Sequence, residues 1–187
     1  MKRLALVLVI LLTFSAAAQT VDVAPATPAA RLVQTLVAAE TSHHVRNFYG
    51  PAGYRLAWSR NGRPTPQALV LVGLFEGAAA KGLDPADYAA GTWSARMIDL
   101  HTDAAAARFD VAVTSTLVRY ATHLRMGRIR PQSVDFDLDV TSKQTDFAAV
   151  ANAVSMSNDV AGTLSALEPR HDDYRRLLGA LAEWRRI

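Results

Sequence analysis

The longest regular pattern in the sequence is an apolar stripe that runs from about Thr102 to Met126. Large apolar residues recur there every three or four positions, which is the period of one face of an α-helix. Gly127 follows directly, and glycine is the residue type that most often ends a helix. The pattern therefore predicts one long amphipathic helix whose buried stripe contains Phe109, Val113, Leu117, Tyr120 and Leu124.

Two Thr-Pro dipeptides mark the starts of helices nearer the N-terminus, since threonine caps a helix and proline suits its first position. The second of these helices is apolar on all sides, which predicts a buried central element. These helices are predicted over 28–48, after Thr27-Pro28, and over 68–80, after Thr65-Pro66.

The remaining helical patterns are shorter. Asp84-Pro85 predicts the start of a short helix, and apolar periods return over 147–154 and 160–167. The final segment has a wide apolar face, most of which we expect to be core, with Trp184 partly exposed. That face consists of Tyr174, Leu177, Leu178, Leu181 and Trp184.

Extended segments are few. Residues 54–58 alternate like a short extended arm or strand, Asn61-Gly62 predicts a turn, and 128–141 reads as an extended loop. The sequence therefore predicts an all-α fold, a helical orthogonal bundle of about six to eight helices.

The chain contains no cysteine, although half of its 187 residues are hydrophobic. This length and composition fit one folded domain. The lack of thiols excludes disulfides, thiolate metal sites and cysteine nucleophiles. Motifs for nucleotide cradles, serine nucleophiles and zinc are missing as well, so we expect no cofactor and no metal.

The N-terminus has the layout of an export signal. Lys2 and Arg3 precede an apolar run over 4–14, which is too short to span a bilayer, and small residues at 16 and 18 form a cleavage pattern. We expect a signal peptide over 1–18, a flexible tether over 19–27 and a single helical domain over 28–187. The product would be a soluble periplasmic protein with no membrane anchor.

The charges are nearly balanced, with 20 Lys and Arg against 17 Asp and Glu. The basic residues are scattered, which does not predict nucleic-acid binding. One local concentration is an exception and could bind the carboxylates of an acidic polymer such as peptidoglycan. The alternative is a solvated helix end where cations offset the dipole. This concentration consists of Arg119, Arg125, Arg128 and Arg130.

Candidate catalytic groups are weak. A glycosidase-type hydrolase needs two carboxyl groups that face each other across a cleft, one with a raised pKa. Glu76 is the best candidate acid, and Asp84 with Asp87 is the other carboxylate pair. A small peptidoglycan hydrolase that uses these groups is therefore kept as an alternative function.

Four ordered motifs span about Phe48 to Trp184. The most specific two are Ala78-x-x-x-Gly82-Leu83-x-Pro85-x-Asp87-Tyr88 and Arg119-Tyr120-x-x-x-Leu124-x-x-Gly127-Arg128-x-x-Pro131. The other two are Phe48-Tyr49 followed by Trp58, and Leu167-x-Pro169 followed by Tyr174 and Leu177. In order and spacing, the set resembles the scaffold domain of periplasmic L,D-transpeptidases, which cross-link peptidoglycan stem peptides.

The resemblance implies the fold and a cell-wall setting. Family members also carry a peptidoglycan-binding module and a catalytic domain with a nucleophilic cysteine. This sequence has no cysteine, so the resemblance does not carry over the activity. It implies a non-catalytic scaffold or binding domain that assists a separately encoded L,D-transpeptidase or contacts peptidoglycan. A remnant of a split transpeptidase gene is a further alternative, and the oligomeric state stays open.

The site residues follow from the motifs. Some are expected to fix helix junctions, namely Gly82, Asp84, Pro85, Asp87, Tyr120 and Gly127. Others are candidates for contact with peptidoglycan or a partner, although aromatic residues at such spacings are more often part of a core. The candidate contact residues are Trp58, Tyr88, Arg125, Arg128, Arg130 and Trp184.

Overall fold

The computed structural model describes residues 23–98, 100–128 and 145–186. In this part of the chain it confirms an all-α helical bundle with one small antiparallel sheet. The order is α1 Pro28–Ala38, α2 His43–Tyr49, β1 Ser59–Arg60, β2 Arg63–Pro64, α3 Pro66–Glu76, a first 3-10 helix Ala78–Lys81, a second 3-10 helix Pro85–Tyr88, α4 Trp93–Met97, α5 Asp103–Met126, α6 Phe147–Ser155, α7 Val160–Ser165 and α8 Asp172–Trp184.

Three sequence predictions fall on residues outside these ranges. The signal peptide over 1–18, residues 19–22 of the tether and the loop over 128–141 beyond Arg128 are not described. Arg130 lies outside the described residues for the same reason. These assignments stay predictions.

Helix α5 is the central element of the core. It packs against α1, α2, α3, α4, α6 and α7, so nearly every other helix contacts it. The predicted apolar stripe is buried, and burying each large side chain of this kind contributes about 1.5–3 kcal/mol. Phe109, Val113, Leu117, Tyr120 and Leu124 are each at most 6% exposed.

The N-terminal helix is divided in two, so the prediction of one continuous helix over 28–48 is wrong. Helix α1 ends at Ala38, and Ser42 takes an extended conformation at the start of α2. The Arg46 guanidinium donates to the Glu40 carbonyl in the break at 2.6 Å. The bend lets α1 and α2 each turn an apolar face to α5.

The extended arm is present, but its strand lies later than predicted. Residues 55–58 are irregular, and β1 begins at Ser59. Asn61 and Gly62 both have positive φ, 53° and 73°, which is the conformation of the tight hairpin turn that Asn-Gly favours. This turn pairs Arg60 with Arg63.

The arm is fastened to α5 by a buried carboxylate that sequence reasoning missed. Asp110 is fully buried and accepts hydrogen bonds from the backbone amides of Ala57 and Trp58 and from the Tyr49 hydroxyl, all at 2.8 Å. The Trp58 indole donates to Thr114 Oγ1 at 2.7 Å. This network fixes the arm on the face of α5.

Helix α3 is less buried than its composition predicts. Leu71 and Phe75 lie in the core, but Leu69 is 52% exposed and Val70 is 44% exposed. The prediction that α3 is buried on all sides is therefore wrong. The described helices cover only one side of α3. The Thr65 cap is confirmed, since its hydroxyl accepts from the Ala68 amide at 3.2 Å.

Candidate functional site

The two most specific motifs meet at one place in the fold, where the second 3-10 helix lies against the C-terminal end of α5. Arg128 Nε donates to the Asp87 carboxylate at 2.6 Å, and its Nη2 lies 3.8 Å from Asp84 Oδ2. These residues, together with Tyr88 and His123, form the junction cluster. Asp84 also caps the 3-10 helix, since it accepts from the Ala86 amide at 3.0 Å.

His123 is a member of this cluster that sequence reasoning missed. The Tyr88 hydroxyl lies 2.7 Å from His123 Nδ1. Burial, with a smaller effect of Asp87, raises the pKa of Tyr88 well above its ordinary value, so the phenol stays protonated. The tautomer of His123 sets which of the two groups donates in this hydrogen bond. Burial also lowers the pKa of His123; Asp87 opposes this effect, and Arg119 and Arg128 lower the pKa further. A neutral imidazole that accepts at Nδ1 carries its proton at Nε2.

His123 could have been predicted as a member of this cluster from its place in the motif that begins at Arg119-Tyr120. It lies one helical turn after Arg119 and Tyr120 and one turn before Gly127, so it had to share their face of α5. Arg119 reaches the same cluster, because its Nη1 donates to the Asp87 backbone carbonyl at 2.8 Å.

The two motif glycines fix the ends of helical segments, as predicted, but with different geometries. Gly82 ends the first 3-10 helix in the left-handed conformation, with φ 72° and ψ 13°. Gly127 ends α5 with φ 83° and ψ 160°, an extended conformation that is accessible almost only to glycine. Between them, Tyr120 packs edge-on against Tyr88 with ring centroids 5.1 Å apart.

An open groove of about 360 Å³ lies beside the junction cluster, between the end of α5 and the start of α8. A second groove of about 650 Å³ adjoins it and shares Arg125 and Pro169. The first is lined by residues that include Lys81, Leu83, His123, Arg125, Met126 and Tyr174, and the second by residues that include Glu168, Arg170 and His171.

Glu168 lines the second groove, and neighbouring side chains compensate its charge. Lys81 Nζ lies 2.8 Å from Glu168 Oε1, and the Tyr174 hydroxyl also hydrogen-bonds this carboxylate. Burial and then Glu168 raise the pKa of Tyr174 to about 12, so Tyr174 is a donor at neutral pH.

A model of the family described as "Scaffold domain" matches residues 43–181. The chain belongs to the scaffold-domain family. This match confirms the resemblance to the scaffold domain of L,D-transpeptidases, and the family is one of non-catalytic domains. Comparison with curated proteins and with solved structures gives no match.

In this scaffold domain, two of the candidate contact residues do not reach the surface. Trp58 and Tyr88 are both 0% exposed, so neither can line a groove for a polymer, and the core alternative holds for both. Trp58 stacks on Phe48 and bonds Thr114, while Tyr88 packs on Phe75 and bonds His123. Arg125 and Arg128, by contrast, are exposed.

Helix α8 departs most from expectation. Its apolar face was predicted to be mostly core, but α8 contains no buried residue. Tyr174, Leu178 and Leu181 are half-buried toward the first 3-10 helix, where Leu181 approaches Gly82. The neighbouring face carries Leu177, Ala180 and Trp184, which we name the α8 stripe. Leu177 is 68% exposed and Trp184 is 71% exposed.

The candidate catalytic carboxylates are not arranged as an acid–base pair. Glu76 is exposed at the end of α3, where it lacks the buried surroundings that a general acid requires. Asp84 and Asp87 lie on the same cation, Arg128, instead of facing each other across a cleft. This geometry fits a structural junction better than hydrolysis.

Within the described ranges, no group of three or more His, Asp or Glu side chains is placed to hold a metal ion. In the same part of the chain, no helix combines the length and hydropathy that a bilayer span requires.

Proposed function

We propose that this scaffold domain is a non-catalytic docking module of the cell envelope that holds an L,D-transpeptidase catalytic domain through the α8 stripe. The family match supports a scaffold role. The observation that carries the proposal is that α8 exposes two large apolar side chains, Leu177 and Trp184, to solvent.

An exposed helix of this kind has the composition of an interface. Large exposed apolar side chains on one face favour association, and tryptophan is enriched among the residues that dominate binding energies. Arginines flank the stripe as a polar rim of an interface commonly does. These are Arg175, Arg176, Arg185 and Arg186.

Leu177→Asp tests the docking role. The protein is immobilised and offered a purified L,D-transpeptidase catalytic domain. The proposal expects retention by the unchanged protein and loss of retention by Leu177→Asp, because a carboxylate would be desolvated in the interface. Ile98→Asp is the matched control, since Ile98 directly follows α4 and is 80% exposed. Equal retention by both variants contradicts the proposal.

Peptidoglycan itself is the second candidate ligand. The observation that favours it is the pair Arg125 and Arg170 beside the two grooves, for which the described residues provide no ion pair. Co-sedimentation with purified sacculi tests this role. We expect Arg125→Gln with Arg170→Gln to reduce the bound fraction and Arg31→Gln on α1 to leave it unchanged. Sedimentation that is equal for all forms contradicts it.

The cell-envelope setting rests on the export pattern of residues 1–18. We propose cleavage before Gln19 and release into the periplasm. N-terminal sequencing of the protein from a periplasmic extract tests this, and a product that begins at Met1 in the membrane fraction contradicts it.

A further inference from the structure

The groove between the end of α5 and the start of α8 has a lining that suits one kind of ligand. We infer that it binds the free C-terminal carboxylate of a short peptide, with Arg125 as the ionic partner and His123 as a hydrogen-bond donor. The inference deepens the peptidoglycan-binding proposal and does not depend on the α8 stripe.

His123 lines the groove, and its Nδ1 forms a hydrogen bond with the Tyr88 hydroxyl, which lies 2.7 Å away. In the tautomer that the site requires, Nδ1 accepts from Tyr88 and the imidazole proton lies on Nε2, at the opposite edge of the ring, where it can donate to a ligand acceptor. The hydrogen bond to Tyr88 also holds the ring in one orientation, as a binding site requires.

Two acids lie near the groove, and both are paired. Glu168 lines the adjoining groove, where Lys81 and Tyr174 already satisfy it, and Asp87 is paired with Arg128. Arg125 lies between the two grooves and, within the described part of the chain, has no ion-pair partner. Arg125 therefore leaves a net positive charge beside the groove. Its guanidinium can form a bidentate pair with a carboxylate.

The groove also has an apolar wall that the body of a ligand could contact. Leu83, Leu124 and Met126 supply apolar surface beside these polar groups, and Met126 is 50% exposed. The volume of about 360 Å³ is at the small end of ligand sites, which span about 300–1,000 Å³. A short peptide with small side chains and a free carboxylate matches the apolar wall and the small volume. A free phosphate would gain nothing from the apolar wall.

The test uses an N-acetylated alanine tripeptide with a free C-terminal carboxylate, followed by NMR of the isotope-labelled protein. We expect saturable shifts of the His123 Nε2–H and of the Met126 methyl group. The same peptide as a C-terminal amide, and the Arg125→Gln variant with the acid, should each bind at least about tenfold more weakly. Inorganic phosphate should give no saturable shift.

Arg31→Gln is the matched charge control and should bind the acid as the unchanged protein does. Equal affinity for acid and amide, or unchanged affinity in Arg125→Gln, overturns the inference. So does the lack of any saturable shift at about 10 mM peptide, beyond the weak end of specific binding. If the tripeptide acid binds but sacculi do not, the inference stands and peptidoglycan is excluded as the source of the carboxylate.

Discussion

The backbone amide of Trp58 donates to Asp110 Oδ2 at 2.8 Å, which joins positions 52 residues apart in the sequence. The contact holds the irregular arm before β1 on the central helix. The same carboxylate accepts the Ala57 amide and the Tyr49 hydroxyl. A buried acceptor of this kind replaces the backbone partners that a longer sheet would provide.

Asp110→Asn should destabilise the fold by about 1–3 kcal/mol at pH 7. The amide group of asparagine would bring donors to a position where backbone donors already converge. Urea unfolding measures this change. Asp103→Asn, in the exposed first turn of the same helix, is the control and should cost less than about 1 kcal/mol. Equal costs at the two sites would contradict the role of Asp110.

The stability of the protein should also depend on the pH through Asp110. Burial raises the pKa of this carboxyl from 3.8 to about 6. The folded state therefore binds the proton more tightly than the unfolded state, and this contribution is lost as the pH rises through 6. The unchanged protein should have a higher free energy of unfolding than Asp110→Asn, and this difference should fall by about 2 kcal/mol between pH 4.5 and 7.5. A difference that is constant over this range, or that grows with pH, would show that Asp110 is ionised throughout.

Gly82→Ala should destabilise the fold by about 1 kcal/mol, because Gly82 has φ 72° and a side chain there is strained. Gly73→Ala is the matched substitution within α3, where the added methyl group meets nothing within 4 Å. It should be neutral or stabilise by up to about 1 kcal/mol. Thermal unfolding of the two variants measures both effects, and opposite signs from these would disprove the assignment of the helix ends.

Much of the fold could be predicted from local signals. The stripe of α5, the Thr27 and Thr65 caps and the Asn61-Gly62 turn each have a cause within a few residues, and the structure has all of them. The break before His43 was missed because large apolar residues return at Val45 and Phe48, beyond the polar residues 40–44. The period reports which face is buried, and it does not report whether the axis bends.

The candidate site was harder to predict for a related reason. The exposure of Trp184 was predicted, but the burial of Trp58 was not, because it depends on which distant elements cover the side chain. The pairing of Arg128 with Asp87 joins residues 41 positions apart. The motifs singled out both residues, but the contact between them is visible only in the fold.

The most direct test of the docking proposal is a calorimetric titration of an L,D-transpeptidase catalytic domain with Trp184→Ala and, as the matched control, Ile98→Ala. The account predicts that Trp184→Ala raises the Kd at least tenfold, as expected for a dominant interface residue, while its Tm stays within about 2 °C. Ile98→Ala should change neither quantity. An unchanged Kd in Trp184→Ala, or a domain that unfolds on this substitution, would contradict the assignment of the α8 stripe as the docking surface.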